Sequence, residues 1–407
     1  MNSEENQNLW SRSYVFLIIA NFFLFFGDNL LMPVLPVYVR QFGASNLEIG
    51  IVAGIFFGTS ILMRLFTSRL AARTGRKVLL VMAMLVCFLT MLGYAIAASL
   101  LLIIAFRMIQ GLSFGASTSL YGAAVADVIP LQRMGEGMGI FGVGLTIAGA
   151  LGPFLGAAAT TMADFRWVFL VAGALVLVSI VLTVFSNTGG KDEPQSEHAG
   201  LKGFFSDIVE PRAIYPALYM LMIGLSMGGL YTYIVLYGEE IGVAEISLYF
   251  IINAAAEFLV RIAFGKLYDK HGMYIVVIPG AICGILACVA LSIADSLSMV
   301  IVASLLLGIT FGTIFPVAEA IAMKSVAPER RVAATGTVYN FLDIGMGFGP
   351  LIFGAIAQIS SYSFTFLMSG LIFATMLILA ILTRVFNLRD REGLPISNEQ
   401  RTTNNEQ

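Results

Sequence analysis

Four ionisable side chains, Asp28, Arg107, Glu257 and Asp343, stand deep inside long apolar stretches of this chain. A charge at the centre of a bilayer costs at least about 2.5–3.5 kcal/mol, so such a group faces a cavity or a partner. A carboxyl that holds a proton when occluded and releases it when open to water is what proton coupling requires. Asp28 is the leading candidate, with Asn21 earlier on the same helical face. Its other possible role is a fixed partner for Arg107, whose guanidinium is always charged. Asn253, Glu257 and Arg261 are spaced by four, which makes one polar stripe down a helix. Glu257 then either binds a proton or cation, or is neutralised by Arg261. Asp343, with Asn340 one turn away, either serves a cavity or ties its helix to a neighbour. Arg64, Arg261 and Glu319 lie nearer segment ends, where structural roles are expected. Asn21, Phe25, Asn29, Met32, Gln110, Tyr231, Asn253 and Asn340 are the candidate lining of a small-molecule cavity. Aromatic and methionine side chains suit adaptable binding, and equally suit contact with membrane lipid.

These groups need apolar helices to hold them. Hydrophobic residues make up 58% of the chain and charged residues 12%, which sets the solvent as lipid rather than water. Val78 to Phe106 contains no charge at all, too long a run for one helix, and reads as two spans with a turn near Ala98-Ser99. The expected fold class is an all-α integral membrane protein with twelve transmembrane helices. The spans are 14–39, 47–71, 77–98, 100–126, 136–160, 165–186, 213–238, 246–268, 273–294, 297–323, 332–358 and 363–386. The polar segment 1–13 is a tail rather than a signal peptide, and 387–407 is a second tail. Segment 187–212, with Lys191, Asp192, Glu193, Pro194 and His198, is a linker between a six-helix bundle at 14–186 and another at 213–386.

On this layout 18 of the 23 Lys and Arg fall on the side of the N-terminus and only Arg40 and Arg166 on the other. The positive-inside rule then places both termini and the linker in the cytoplasm of a cell-membrane protein. Cys87, Cys283 and Cys288 fall within spans without metal-ligand spacing and are read as packing. No Walker loop or zinc-protease helix is present, so no cofactor, metal, nucleic-acid or enzymatic role is expected, and an ion gradient is the energy source. Gly111-Leu112-Ser113-Phe114-Gly115 matches a hydrolase nucleophile pattern, but it lies within a span and neither His198 nor His271 does.

The chain repeats itself at an offset near 197. Arg64 matches Arg261, Gly75 matches Gly272, Gly111 and Gly115 match Gly308 and Gly312, and Gly152-Pro153 matches Gly349-Pro350. Two parallel six-helix repeats form a transporter architecture with a substrate site between them.

Four motifs carry a family resemblance. They are Ser68-Arg69-Leu70-Ala71-Ala72-Arg73-Thr74-Gly75-Arg76-Lys77 between spans 2 and 3, and Arg107-Met108-Ile109-Gln110-Gly111 in span 4. In span 5 stand Gly142, Gly149 and Gly152-Pro153-Phe154-Leu155-Gly156, and in span 1 Gly27-Asp28 running to Pro33-Val34-Leu35-Pro36. Over residues 14–386 the chain resembles the major facilitator superfamily, within it the twelve-helix drug:proton antiporter branch. The resemblance implies a secondary active transporter working by alternating access, as a monomer, with protons and a lipophilic or amphiphilic substrate as partners. It implies gating roles for Arg73, Gly75, Arg76, Asp127, Gly149, Gly152, Pro153, Gly156 and Asp269, and a proton-transfer role for Arg107. The motif departs from the family in having Ala72 where an Asp is usual and Ser68 where a Gly is; pairing of Arg73 or Arg76 with Asp127 is still expected, and the second repeat keeps Asp269. A dedicated metabolite exporter, a proton-linked importer and a non-transporting receptor or scaffold are the alternatives.

Overall fold

The structure is a computed structural model that describes residues 9–161, 164–188, 209–327 and 330–393, with backbone alone at 131, 135, 262–271, 332 and 386–393. Most of the two tails and of the 187–212 segment therefore lies outside the described residues.

Twelve long helices account for the described chain: α1 Arg12–Arg40, α2 Asn46–Thr74, α3 Arg76–Ile96, α4 Leu100–Val128, α5 Met134–Ala159, α6 Arg166–Phe185, α7 Ile214–Glu240, α8 Leu248–His271, α9 Tyr274–Ser292, α10 Leu297–Lys324, α11 Arg331–Ile359 and α12 Tyr362–Gly393. Among the described residues, eleven are long and apolar enough to cross a membrane. Each sequence-derived span falls on one helix, and the Ala98-Ser99 turn joins α3 to α4. Ser11, Ser45 and Ser99 cap the starts of α1, α2 and α4 with their side chains, Ser45 as a capping box with Glu48. Lys77 donates to the carbonyls of Val184 and Ser186, satisfying the open C-terminal end of α6.

The internal repeat is visible in the contacts. In the first six helices α1 packs on α5 and α6, α2 on α4, and α3 on α4 and α6; in the last six, α7 packs on α11 and α12, α8 on α10, and α9 on α10 and α12. Gly111 and Gly115 of α4 lie against the backbone of Phe56 and Ser60 in α2. Gly308 and Gly312 of α10 lie against the backbone of Asn253 and Glu257 in α8, the same positions one repeat later. In lipid these small residues matter because association depends on close van der Waals approach. Gly75 and Gly272, which also match, both take positive φ (84° and 79°) where one helix turns into the next.

A repeated clamp was not legible at a single offset. The Tyr38 hydroxyl donates to the carbonyls of Tyr94 and Ala97 (3.1 and 3.4 Å), and its ring packs edge-on against Phe169 at 4.9 Å. Tyr237 does the same to Leu291 and Ala294 (2.6 and 3.1 Å) and to Phe366 at 5.0 Å. Each tyrosine donates to the carbonyls at the end of the third helix of its repeat, two of which, those of Tyr94 and Leu291, also accept the amides of Ala97 and Ala294.

Between the two sets of six, α2 packs closely along α11, with lesser contacts of α1 to α7 and α5 to α8. The start of α7 is pinned to α11 by Glu210, which receives hydrogen bonds from Arg330 and donates its own amide to Thr337. The Arg330 guanidinium holds the Glu210 carboxyl below the usual carboxylate range.

Candidate functional site

The mid-span acid of α1 is buried at the α1–α4 contact. Asp28 accepts a hydrogen bond from Gln110 Nε2 at 2.8 Å. Gln110 Oε1 in turn accepts from Arg107 Nη1 (2.9 Å) and from the Tyr94 hydroxyl (2.6 Å). Arginine can only donate, so the amide of Gln110 is locked with its nitrogen toward the carboxylate. Arg107 also stacks over the Phe56 ring at 4.1 Å, a cation–π contact that helps hold a guanidinium buried. Gln110 stands between the acid and the base, so the direct Asp28–Arg107 pair considered from sequence gives way to a relay. Tyr94 had no sequence signal of its own, since nothing in its neighbourhood along the chain marks it as polar. Asn21 is buried on the same face, its Oδ1 without a protein partner.

Arg107 and Met32 border a space of only ≈ 10 Å³, room for about one water, shared with Thr232 of α7 and Pro350 of α11. Phe25 packs on Phe114 at 5.2 Å. Asn29 turns back onto its own helix, donating to the Phe25 carbonyl at 2.8 Å, and its Cβ lies under Gly152 of α5.

The α8 stripe forms as spaced. The Tyr231 hydroxyl donates to Asn253 Oδ1 (3.1 Å), Asn253 Nδ2 donates to the Ser304 carbonyl (3.2 Å), and Glu257 pairs with Arg261. Arg261 also lies over the Phe315 ring at 5.2 Å. Asp343 does tie its helix to a neighbour, pairing with Arg64 of α2, and Asn340 is half-buried one turn away. Arg64 and Arg261 occupy equivalent repeat positions yet have different partners. The residue four before Arg261 is Glu257, whereas the residue four before Arg64 is Ser60, so Arg64 finds its acid only by reaching to α11.

Among the motif residues, Arg76 takes Asp127 while Arg73 is exposed. Gly152 and Gly156 carry the α1–α5 contact, Pro153 sits inside a continuous α5, and Gly149 faces open space. The Asp269 side chain lies outside the described residues. Ser113 of the hydrolase-like pattern donates to the Gln110 carbonyl within α4.

One stripe of α11 shows where the molecule is open. Gly354, Pro350 and Gly347 lie against Asn46, Gly50 and Gly54 of α2 in backbone contact. Further along that stripe Asp343 needs the full length of Arg64, Tyr339 is exposed, and at Gly336 a side chain would meet nothing within 4 Å. The helices thus meet at the side holding the α1–α2 turn, called here the far side. They part toward the side carrying the start of α1, the terminal side. The two partners of the Arg64–Asp343 pair are 25% and 17% exposed, between the surface and buried limits. Arg64→Ala is therefore expected to cost about 1–3 kcal/mol of stability. Thermal unfolding of purified protein should show the exchange Arg64→Asp with Asp343→Arg recovering most of that loss.

The family model described as Major Facilitator Superfamily matches residues 17–312 and 242–404. The chain is 25% identical to a multi-drug resistance efflux pump PmrA homolog of Lactococcus lactis, over 89% of this chain and 92% of that protein. It is 26% identical to the multidrug resistance protein MdtG of Citrobacter koseri, over 87% and 90%. Among solved structures it is similar to the nucleoside transporter NupG (TM-score 0.73, 14% identity, 91% of this chain and 98% of that one). It is also similar to a bacterial homolog of the human lysosomal transporter Spinster in an inward-facing, unoccupied conformation (TM-score 0.73, 16% identity, 91% and 95%). At these identities the solved structures speak to the fold alone.

Proposed function

The chain belongs to the Major Facilitator Superfamily, and we propose that it is a proton-coupled exporter of lipophilic or amphiphilic small molecules. It is a multi-pass membrane transporter and not an enzyme, as are the relatives it matches. The observation that carries the finer reading is the relay Asp28–Gln110–Arg107, a buried carboxylate joined through an amide to a buried guanidinium in the first six helices. There Asp28 is the proton carrier. Arg107, acting through Gln110, favours its ionised form, and movement of either helix changes that balance. The multidrug names of two relatives support export of varied compounds. The structural neighbours give no such support for nucleosides, because likeness at that identity does not reach substrate.

In this reading residues 14–186 and 213–386 are the two bundles that rock about a central site, and the chain works as a monomer. Glu257 and Asp343 are further coupling candidates, held ready by Arg261 and Arg64. The test is transport by purified protein in liposomes with an imposed proton gradient, against a panel of amphiphilic dyes and drugs. Accumulation that follows the gradient is expected; indifference to it would overturn the coupling. A dye flux of zero under all gradients would leave a dedicated metabolite transporter or a receptor.

The charge bias orients the terminal side toward the cytoplasm, which makes the described conformation inward-facing. In a variant lacking Cys87, Cys283 and Cys288, a cysteine placed at Ser196 should react with a membrane-impermeant maleimide only after cells are permeabilised. Reaction in intact cells would reverse the orientation.

A further inference from the structure

The far-side contact is concentrated on one residue that no motif marks. Asn46 opens α2, and all of its polar groups reach helices of the last six. Its backbone amide donates to Gln358 Oε1 (3.0 Å) and its Nδ2 to the Ala357 carbonyl (3.1 Å). Its Oδ1 accepts from the Tyr362 hydroxyl (2.7 Å) and its carbonyl from the Tyr233 hydroxyl (2.7 Å). A carbonyl can only accept, so Ala357 fixes which way the Asn46 amide points. No ion pair accompanies these bonds between the two sets of helices at this level among the described residues; Arg40 of α1 lies over the Tyr362 ring at 6.0 Å, a contact that phenylalanine at 362 would keep, and the cross-pair Arg64–Asp343 lies toward the terminal side.

We propose that Asn46 is the residue that holds the far gate shut, a positioning residue whose two side-chain bonds break each time the far side opens. The inference rests on the alternating-access reading given above. It fits the chemistry of a gate that must open on thermal timescales. Net, a neutral hydrogen bond contributes about 0.5–1.5 kcal/mol, or roughly fivefold in an equilibrium, so a few such bonds close a gate without locking it. Van der Waals contact between the glycine faces of α2 and α11 adds closeness but little direction, whereas the amide of Asn46 accepts one register only.

The isosteric change Asn46→Asp separates this role from plain packing. It keeps the shape, and a carboxylate in the first turn of α2 favours the helix itself. It also sets an acceptor against the Ala357 carbonyl and so opposes the latch. Spin labels at Gln41 and Ser360, exposed on opposite sides of the far gate, report its opening in a cysteine-free chain by pulsed dipolar distance measurement.

The open fraction is expected to rise about 25-fold in Asn46→Ala, which loses both bonds, and at least about fivefold in Asn46→Asp, which loses the bond to Ala357 and keeps an acceptor for Tyr362, with thermal unfolding of Asn46→Asp unchanged or raised. Tyr362→Phe should give about a fivefold rise, and adding it to Asn46→Ala should give no more than a small further rise, because that bond is already gone. Wild-type distance distributions in folded Asn46→Asp and Asn46→Ala, in a chain whose far side does open, would sink the latch alone. A far gate that opens in none of the chains would remove alternating access and the latch together.

Discussion

Asp28→Asn is expected to reduce proton-driven transport by about two orders of magnitude or more, the usual cost of losing a group that transfers a proton. The folded protein should survive, because an asparagine oxygen can still accept from Gln110 Nε2 as the carboxylate does. Substrate-for-substrate exchange in liposomes, which needs the conformational cycle but no net proton, should be retained. That pattern separates coupling from architecture. Were Asp28 only a structural partner, exchange and gradient-driven flux would fall together, in step with thermal stability. Full gradient-driven flux through a folded Asp28→Asn protein would move the coupling role to Glu257 or Asp343.

Gly156→Val is expected to abolish accumulation of folded protein. A Cβ at Gly156 would collide with the Leu30 carbonyl and stand 3.0 Å from both the Leu30 carbonyl carbon and Pro33 Cγ. The obstacle is backbone and ring, neither of which can rotate aside, so α1 and α5 must separate. The cost is about 3 kcal/mol or more, at the upper end for overpacking, and size-exclusion profiles of detergent-solubilised protein on heating will read it. Gly149→Ala makes the contrast, for nothing lies within 4 Å of its added methyl. In a helix that change is worth up to about 1 kcal/mol in favour of folding. If α5 buries this face when the terminal side closes, the same variant should fold normally yet transport more slowly. A Gly149→Ala protein with wild-type flux would show that the face stays open throughout the cycle.

Local physics made much of this protein readable from its residues. Twelve helices follow from apolar length, because a backbone in lipid must satisfy its hydrogen bonds within the segment. The repeat followed from glycines whose spacing survives in both halves, and their contacts in α4 on α2 and α10 on α8 agree position for position. Glu257–Arg261 was readable for the same reason: partners four apart on one helix need no tertiary structure to meet. Asp28 was identifiable as costly, since a lone carboxyl in an apolar run stands out wherever it points.

What the acid touches was another matter. Gln110 and Arg107 were both in view, yet only the packing of α1 on α4 shows that the amide stands between the two charges. The destination of Arg64 depended on an absence, Ser60 where the other repeat has Glu257, together with the approach of α11. The Tyr38 and Tyr237 clamps escaped the 197 offset because the two tyrosines stand 199 apart while their partners, Tyr94 and Leu291, Ala97 and Ala294, Phe169 and Phe366, keep 197. Asn46 was the most hidden. Next to Ser45 and Glu48 it reads as an ordinary helix start, and its partners lie up to 316 residues away along the chain. A side chain's type fixes which bonds it can make, but in a bundle of long helices the partner is chosen by which faces are brought within 3 Å. That choice belongs to the packing of all twelve helices at once.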